Sequence, residues 1–452
     1  MQKNDDITLR IDDLTTAGSG IGRSDGMAVF VEGALPGELV KAHIIKVKKN
    51  YAIGKLTEIL EESPLRLTPR CAVFGTCGGC TLQDLAYAGQ LSWKQDHLND
   101  CLKRIGGVEG IDPLYPQPSI KPWHYRNKAA YALEERDGKV AIGFYELHSH
   151  KVVDVEEQCW IQHSYTKLII SQLRAWIAKS GVSIYNEEKH EGLLRRIVIR
   201  SNNKEEFMVI LVINGDEIPD EKRLLQLFKL ALPRVTSIVL NINKRRTNTI
   251  MGSRNIPIVG DGYLTEVICG LHYRFGPNSF MQVNHQQMEA MYLHLLRELR
   301  IKKSETVFDL YCGIGTITLL AAQQAKQAIG VEVVEEAVEN AEFNALQNEI
   351  ENAEFHAGDA PEWIRRLVDD GIRPNVLIVD PPRKGLTKEL IETAAEARPR
   401  AIGYVSCDPA TLARDLKEFR ALGYKPRGAQ GYDLFPQTTH LETVAILEPA
   451  EA

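Results

Sequence analysis

The sequence predicts a chain of several domains: an N-terminal β-barrel, a central α+β domain and a C-terminal doubly wound α/β domain. Three observations carry this prediction. The first sixty residues break into short alternating strands separated by Gly, Pro, Asp and Asn turns. A cysteine cluster and a mixed strand-and-helix stretch follow. From about Phe280 onward strand-like and helical segments alternate strictly, the pattern of a doubly wound sheet. At 452 residues the chain is too long for one ordinary core. Its 44% apolar and 25% charged content is that of a soluble globular protein.

The barrel is predicted over residues 1–62, with strands around Ile7–Ile11, Met27–Val31, Glu38–Ile44 and Tyr51–Leu56. So short a set of strands closes on itself because closure leaves no edge unpaired. Lys41, Lys46, Lys48, Lys49 and Lys55 cluster on the later strands. They make either a solvated face or an oligonucleotide-binding surface, since small OB-like barrels bind nucleic acid. Pro64 to Pro69 reads as a linker. The central domain is placed at 63–275, with strands near Arg196–Arg200 and Phe207–Val212 and helices near Tyr165–Ala178 and Lys222–Leu232.

The α/β domain is placed at 276–452. Its strands are predicted at Thr306–Leu310, Ala328–Glu332, Glu354–Ala357, Val376–Val379, Ala401–Val405 and Thr443–Leu447, with a further one within Pro426–Phe435. In such sheets ligands bind beyond the carboxyl ends of the strands, so the residues there carry the chemistry.

Several function classes fall away. A net charge of -6 argues against a uniformly basic nucleic-acid coat, though not against a local basic groove. No apolar run approaches bilayer length and the N-terminus lacks a signal-peptide core, so cytoplasm is the expected location, with no membrane and no obligate protein partner. Eight cysteines in such a chain point to metal ligation or catalysis more than to disulfides.

The first α/β strand runs into Asp309-Leu310-Tyr311-Cys312-Gly313-Ile314-Gly315. Glycines there let the backbone approach a ligand and turn into a helix. Thr318 stands where a dinucleotide fingerprint has its third glycine, which favours a nucleoside cofactor without pyrophosphate. Glu332 ends the second strand, placed to accept ribose hydroxyls. Asp359 ends the third, where an adenine amino group would lie, and Asp380 ends the fourth. Each acid alone is more simply a capping or surface residue. Three at successive strand ends look like the S-adenosylmethionine site of Rossmann-like methyltransferases, with Tyr311 either a contact or a packed aromatic.

Asp380-Pro381-Pro382-Arg383-Lys384-Gly385 and Ser406-Cys407-Asp408-Pro409 end neighbouring strands, and His440-Leu441-Glu442 opens the last. Together with Phe280-Met281-Gln282-Val283-Asn284, these motifs in this order resemble the RNA 5-methyluridine methyltransferases of the TrmA/RumA family over essentially the whole chain. The resemblance implies Cys407 as nucleophile, Glu442 as the base that takes the C5 proton, and Gln282 as a contact to S-adenosylmethionine. The chemistry needs both groups: C5 of uracil becomes nucleophilic only after a thiolate adds to C6, and a base then removes the C5 proton so that the thiol can leave. His440 is left unassigned.

Cys71, Cys77 and Cys80 form the second cluster. Zinc and iron–sulfur sites both need a fourth ligand. By chemistry alone Cys101 and Cys159 are equally eligible; the family pattern supplies Cys159 and a [4Fe-4S] cluster, with zinc as the alternative. Residues 1–62, with Gly18-Ser19-Gly20-Ile21-Gly22 and Ala34-Leu35-Pro36-Gly37-Glu38, resemble a TRAM barrel. Within the resembled family, the pairing of this barrel with this cluster implies a 23S ribosomal RNA substrate, with transfer RNA second. RNA would meet the barrel lysines, Trp123-His124-Tyr125-Arg126-Asn127-Lys128 or Lys244-Arg245-Arg246, with the target base flipped out.

Overall fold

The computed structural model describes residues 1–111, 113–155 and 159–450. Five strands, Asp6–Leu14, Gly20–Ser24, Met27–Glu32, Leu39–Val47 and Tyr51–Glu61, close into the predicted barrel. Alternate residues point inward, so Leu9, Ile11, Val29, Val31, Val40, Ala42 and Ile44 fill it. The strand Gly20–Ser24 is absent from the sequence reading because its glycines look like a turn. They serve close approach instead: a Cβ on Gly22 would lie 2.3 Å from the Arg10 carbonyl oxygen, and one on Gly20 2.7 Å from that of Ala34.

The central sheet has seven strands, in the order Arg254–Val259, Val235–Ile242, Phe207–Ile213, Leu194–Ser201, Lys128–Arg136, Lys139–Tyr145 and Val152–Asp154. Helices Thr166–Ser180 and Glu221–Ala231 cover one face through Ile169, Leu173, Trp176, Leu224 and Phe228. At its centre the other face does not meet water either. Phe207–Ile213 is apolar throughout because Val209 and Leu211 pack under those helices while Met208, Ile210 and Val212 join the core of the α/β unit.

The α/β sheet has eight strands, in the order Ala353–Ala357, Gln327–Glu332, Thr306–Leu310, Val376–Val379, Ala401–Ser406, Glu442–Pro449, Tyr424–Tyr432 and Leu114–Gln117. The first five run parallel, and Glu442–Pro449 is antiparallel to both of its neighbours. Helices His285–Leu299, Thr316–Ala322 and Glu335–Gln347 bury their apolar stripes on one face. Ala360–Asp369, Lys388–Glu396 and Pro409–Ala421 cover the other. The predicted segments therefore appear with shifts of a few residues at their ends.

One stretch sits on a different sheet from the one its place in the sequence suggests. Leu114–Gln117 lies in the central segment of the chain but pairs with Tyr424–Tyr432, and Leu98, Cys101 and Leu102 pack into the α/β core. Four residues of strand carry no periodicity from which a partner could be read. Among the described residues no helix is long and apolar enough to cross a membrane.

Candidate active site

Parallel register brings the strand ends to one edge. Leu310 lies level with Val331 and Val379, and Val379 with Tyr404, so Tyr311, Glu332, Asp380 and Cys407 emerge side by side. The order in which the chain adds strands to the sheet reverses at Thr306–Leu310, which has the second strand of the domain on one side and the fourth on the other. A crevice opens at such a switch point.

Gln282, Tyr311, Gly313 and Asp380 line a pocket in that crevice, with about 390 Å³ of empty space, some of it open to solvent. Tyr311 and Gly313 both take positive φ, 64° and 55°, which turns the chain sharply out of the strand. Gly315 follows at φ 82°, where a Cβ would also meet the Phe355 ring at 2.9 Å. Both oxygens of Glu332 accept backbone N–H bonds, from Gly313 at 3.1 Å and Val334 at 3.0 Å, so the acid fixes the glycine loop. Asp359 stands at the N-terminus of Ala360–Asp369, yet its carboxylate makes no capping bond and remains available.

The pocket is acid-rich. Burial lifts Asp380 to about 7, against a hydrogen bond from Gln282 that opposes the shift. Burial likewise lifts Asp309 to about 7, with Asp380 and Glu332 adding repulsion; one Asp309 oxygen accepts from Thr318 at 2.6 Å and the other is buried without a partner. A cavity that crowds carboxylates fits a cationic ligand such as a sulfonium, which would relieve that repulsion. Asp309 is a feature the sequence reading passed over, although it heads the glycine loop. Phe280, 69% exposed, stands at the pocket mouth.

Beside the pocket, the antiparallel pairing matches Ser406 with Thr443. The next step of the same register sets Cys407 opposite Glu442. Cys407 is half-buried, held between the strand end and the helix Pro409–Ala421, whose first N–H groups, those of Ala410 and Thr411, bond Asp408 at 2.9 Å. Burial pushes its thiol up to about 12, with Glu442 and Asp380 contributing and Arg383 opposing. Glu442 is 2% exposed with one carboxylate oxygen unpartnered; burial, then Asp380, holds it well above the usual carboxylate range, again opposed by Arg383. Arg383 Nη2 stands 3.3 Å from Nε2 of His440, whose imidazole burial and the neighbouring Arg383 push down to about 4. His440 is thus neutral and accepts from Arg383. Arg383, which lies inside the Asp-Pro-Pro motif, is a second group beside the site that the sequence alone does not single out.

The loop before Glu442 is braced from outside the domain. Lys94, fully buried, reaches Asp433 at 2.6 Å, and Tyr87 donates to the same carboxylate at 2.7 Å. Gln90 pairs with Gln437, and the Tyr125 hydroxyl donates to the Pro436 carbonyl at 3.0 Å. No sequence signal marks these partners.

The cysteine loop runs alongside. Thr81 and Leu82 donate to the Gln437 carbonyl at 3.0 Å each, and Cys77 bridges to Glu146 of the central hairpin. Cys71, Cys77, Cys80 and Cys159 share one neighbourhood: burial raises Cys77, Cys80 and Cys159, the last to about 11, and Cys71 adds to each shift. Glu157 and Gln158, which precede Cys159, lie outside the described residues. Cys101 is instead in the α/β core, with His97 at 3.8 Å. The expectation of a closed metal-ligand group is not met: among the described residues no three His, Cys, Asp or Glu form a group able to hold a metal ion. A larger cleft, with about 2630 Å³ of empty space, opens at the end of the central sheet and contains none of the predicted site residues.

Residues 2–57 match the TRAM domain, and residues 258–450 match the family described as tRNA (Uracil-5-)-methyltransferase. A Halalkalibacterium halodurans protein and a Clostridium acetobutylicum protein, each described as an uncharacterized RNA methyltransferase, are 42% identical to this chain, the alignments covering 99% of it and 98% of each relative. The crystal structure of Pyrococcus abyssi tRNA (uracil-54, C5)-methyltransferase in complex with S-adenosyl-L-homocysteine superposes with a TM-score of 0.77 at 30% identity, covering 97% of this chain and 99% of that one. This chain therefore belongs to the S-adenosylmethionine-dependent RNA (uracil-5-)-methyltransferase family and carries an N-terminal TRAM barrel.

Proposed function

We propose that this enzyme forms 5-methyluridine in 23S ribosomal RNA, in the cytoplasm, through a covalent bond between Cys407 Sγ and C6 of the target uracil. The observation that carries the reading is the Ser406–Thr443 register, which sets the thiol of Cys407 across from the carboxyl of Glu442. Bound S-adenosylmethionine supplies the methyl group. Gln282, Tyr311, Gly313 and Asp380 would hold it in the pocket, with Glu332 available to the ribose hydroxyls and Asp359 to the adenine amino group. The Cys407 thiolate would add to C6 and push electrons onto C5 and O4. C5 would take the methyl group as the sulfonium S–CH3 bond breaks and its electron pair stays on sulfur, leaving S-adenosylhomocysteine. Glu442 would accept the C5 proton, and the S–C6 bond would break to return the thiolate. Arg383 opposes the buried negative charge on both groups.

The ribosomal assignment rests on the TRAM barrel together with the cysteine quartet. A second reading, the same reaction on transfer RNA, is favoured by the likeness to the Pyrococcus abyssi enzyme. One experiment addresses both. Glu442→Gln should accumulate a covalent protein–RNA adduct stable on denaturing gels, while Cys407→Ala forms none. Sequencing the trapped RNA is expected to return 23S ribosomal RNA; transfer RNA would establish the second reading. Methylation of uridine by Cys407→Ala would overturn the covalent route.

We further infer that Cys71, Cys77, Cys80 and Cys159 hold a [4Fe-4S] cluster. Each thiolate of a cubane binds a different iron, so the sulfurs stand farther apart than around one ion. Four thiols in one neighbourhood supply the number of thiolates that such a cluster takes.

A further inference from the structure

Arg70 lies one residue before Cys71, at the exposed end of the linker. Its guanidinium sits over the ring of Trp123, 4.9 Å from the centroid, and 6.0 Å from the centroid of Trp160. It forms no hydrogen bond and no ion pair with the described residues. A guanidinium placed by ring contacts keeps its fork of N–H donors free for an acceptor. An arginine that merely finished the packing of two tryptophans would be expected to turn those donors to a carboxylate or a carbonyl, and this one has neither.

The rings are held firmly. The His124 N–H donates to the Trp160 carbonyl at 2.8 Å and the Arg126 N–H to the Ile161 carbonyl at 3.0 Å, so the two segments run together as a short ladder. The His124 ring lies 5.7 Å from that of Trp160. Both tryptophans are half-buried and not enclosed in any of the apolar cores. Cys71 and Cys159, the chain neighbours of Arg70 and Trp160, tie this surface to the cysteine quartet.

The surface is continuous with the active site. Arg126 is three positions beyond Trp123, at most about 10 Å of chain, and its charge is among those that push His440 down. Tyr125 between them donates to Pro436 in the loop that leads to His440 and Glu442.

We propose that Arg70, Trp123 and Trp160 form a stacking platform for an unpaired nucleotide of the RNA substrate that flanks the target uridine. The base stacks on a tryptophan ring and its phosphate takes the free donors of Arg70. Proteins that read single-stranded RNA use this combination, because every base has a π-face and every nucleotide a phosphate. The proposal rests on the reading of the neighbouring crevice as the site of uridine methylation.

The test measures binding of a fluorescein-labelled single-stranded RNA of mixed sequence, at fixed salt and with S-adenosylhomocysteine present. Arg70→Ala and Trp160→Ala should each weaken binding about tenfold. Trp160→Phe should keep most of the affinity, and binding to the same RNA annealed to its complement should not change. S-adenosylhomocysteine binding checks that the variants fold. If Arg70→Ala weakens binding but Trp160→Ala does not, the contact is to phosphate alone and the platform is wrong. Unchanged binding by Arg70→Ala also overturns it, and this exposed position decides the matter even if a tryptophan variant loses the cofactor. Because the readout is binding, adduct formation by Cys407 can fail without touching this proposal, and the reverse holds too.

Discussion

Glu442 opposes ionisation of Cys407 before RNA arrives. Burial raises the half-buried thiol first, and Glu442 and then Asp380 add to the shift. With the thiol near 12, only a small fraction is thiolate at neutral pH, and that fraction grows about tenfold per pH unit below the pKa. Single-turnover adduct formation should therefore rise about tenfold per unit between roughly pH 7 and 9. Arg383→Gln removes the cation that lowers both groups, so its rate should fall by about tenfold or more at pH 7.5 and recover as the pH rises. A pH-independent rate in both proteins would refute this account. Cys407 and Glu442 could be singled out in the sequence because the motifs that carry them are specific. Arg383 was not singled out, because its importance depends on facing His440 across 57 residues of chain.

At the scale of elements, the site depends on how a loop is braced. Residues 433–440 deliver Glu442, and the helix Tyr87–Asp100 holds them through Lys94. Taking two charges out of water is costly, and the pair survives because each compensates the other. Lys94→Met leaves Asp433 buried with only the Tyr87 hydroxyl as partner, and should lower stability by about 3–5 kcal/mol. Adding Asp433→Leu should recover much of that loss, since no uncompensated charge remains. Urea unfolding of the single and double variants measures both effects; equal stability of Lys94→Met and the native protein would mean that Asp433 finds another partner. The strands of the α/β sheet were legible because each carries its own hydrophobic pattern. Leu114–Gln117 was not, because four residues are ordered by the edge they join.

Across the whole molecule, the barrel, the central sheet and the α/β unit are not beads on a string. Thr439 donates to the Thr16 carbonyl of the barrel at 2.6 Å, Leu14 and Leu35 pack against Leu82, Leu85 and Trp93, and the central sheet shares its second face with the α/β core. The cysteine loop touches the central hairpin at Cys77 and the loop before Glu442 at Thr81 and Leu82. Protein purified without air should contain about four iron atoms per chain. Stripping that iron should speed hydrogen exchange over residues 433–441 and reduce RNA binding at the same time. A zinc-loaded, colourless preparation would refute the iron assignment, and unchanged exchange would show that the cysteine loop does not support the active site.

The sequence by itself determined the reaction class, the barrel and the succession of α/β strands along the chain, because these follow from local hydrophobic period and from motifs whose residues are adjacent in the chain. Only the tertiary structure decided which side chains meet. It put Cys407 opposite Glu442 through a strand register, set Arg383 against both, and chose Cys159 over Cys101 as the neighbour of the other three cysteines. It also placed Lys94 against Asp433, 339 residues away. Pairings of that kind depend on how whole elements pack, and packing leaves no periodic trace along the chain.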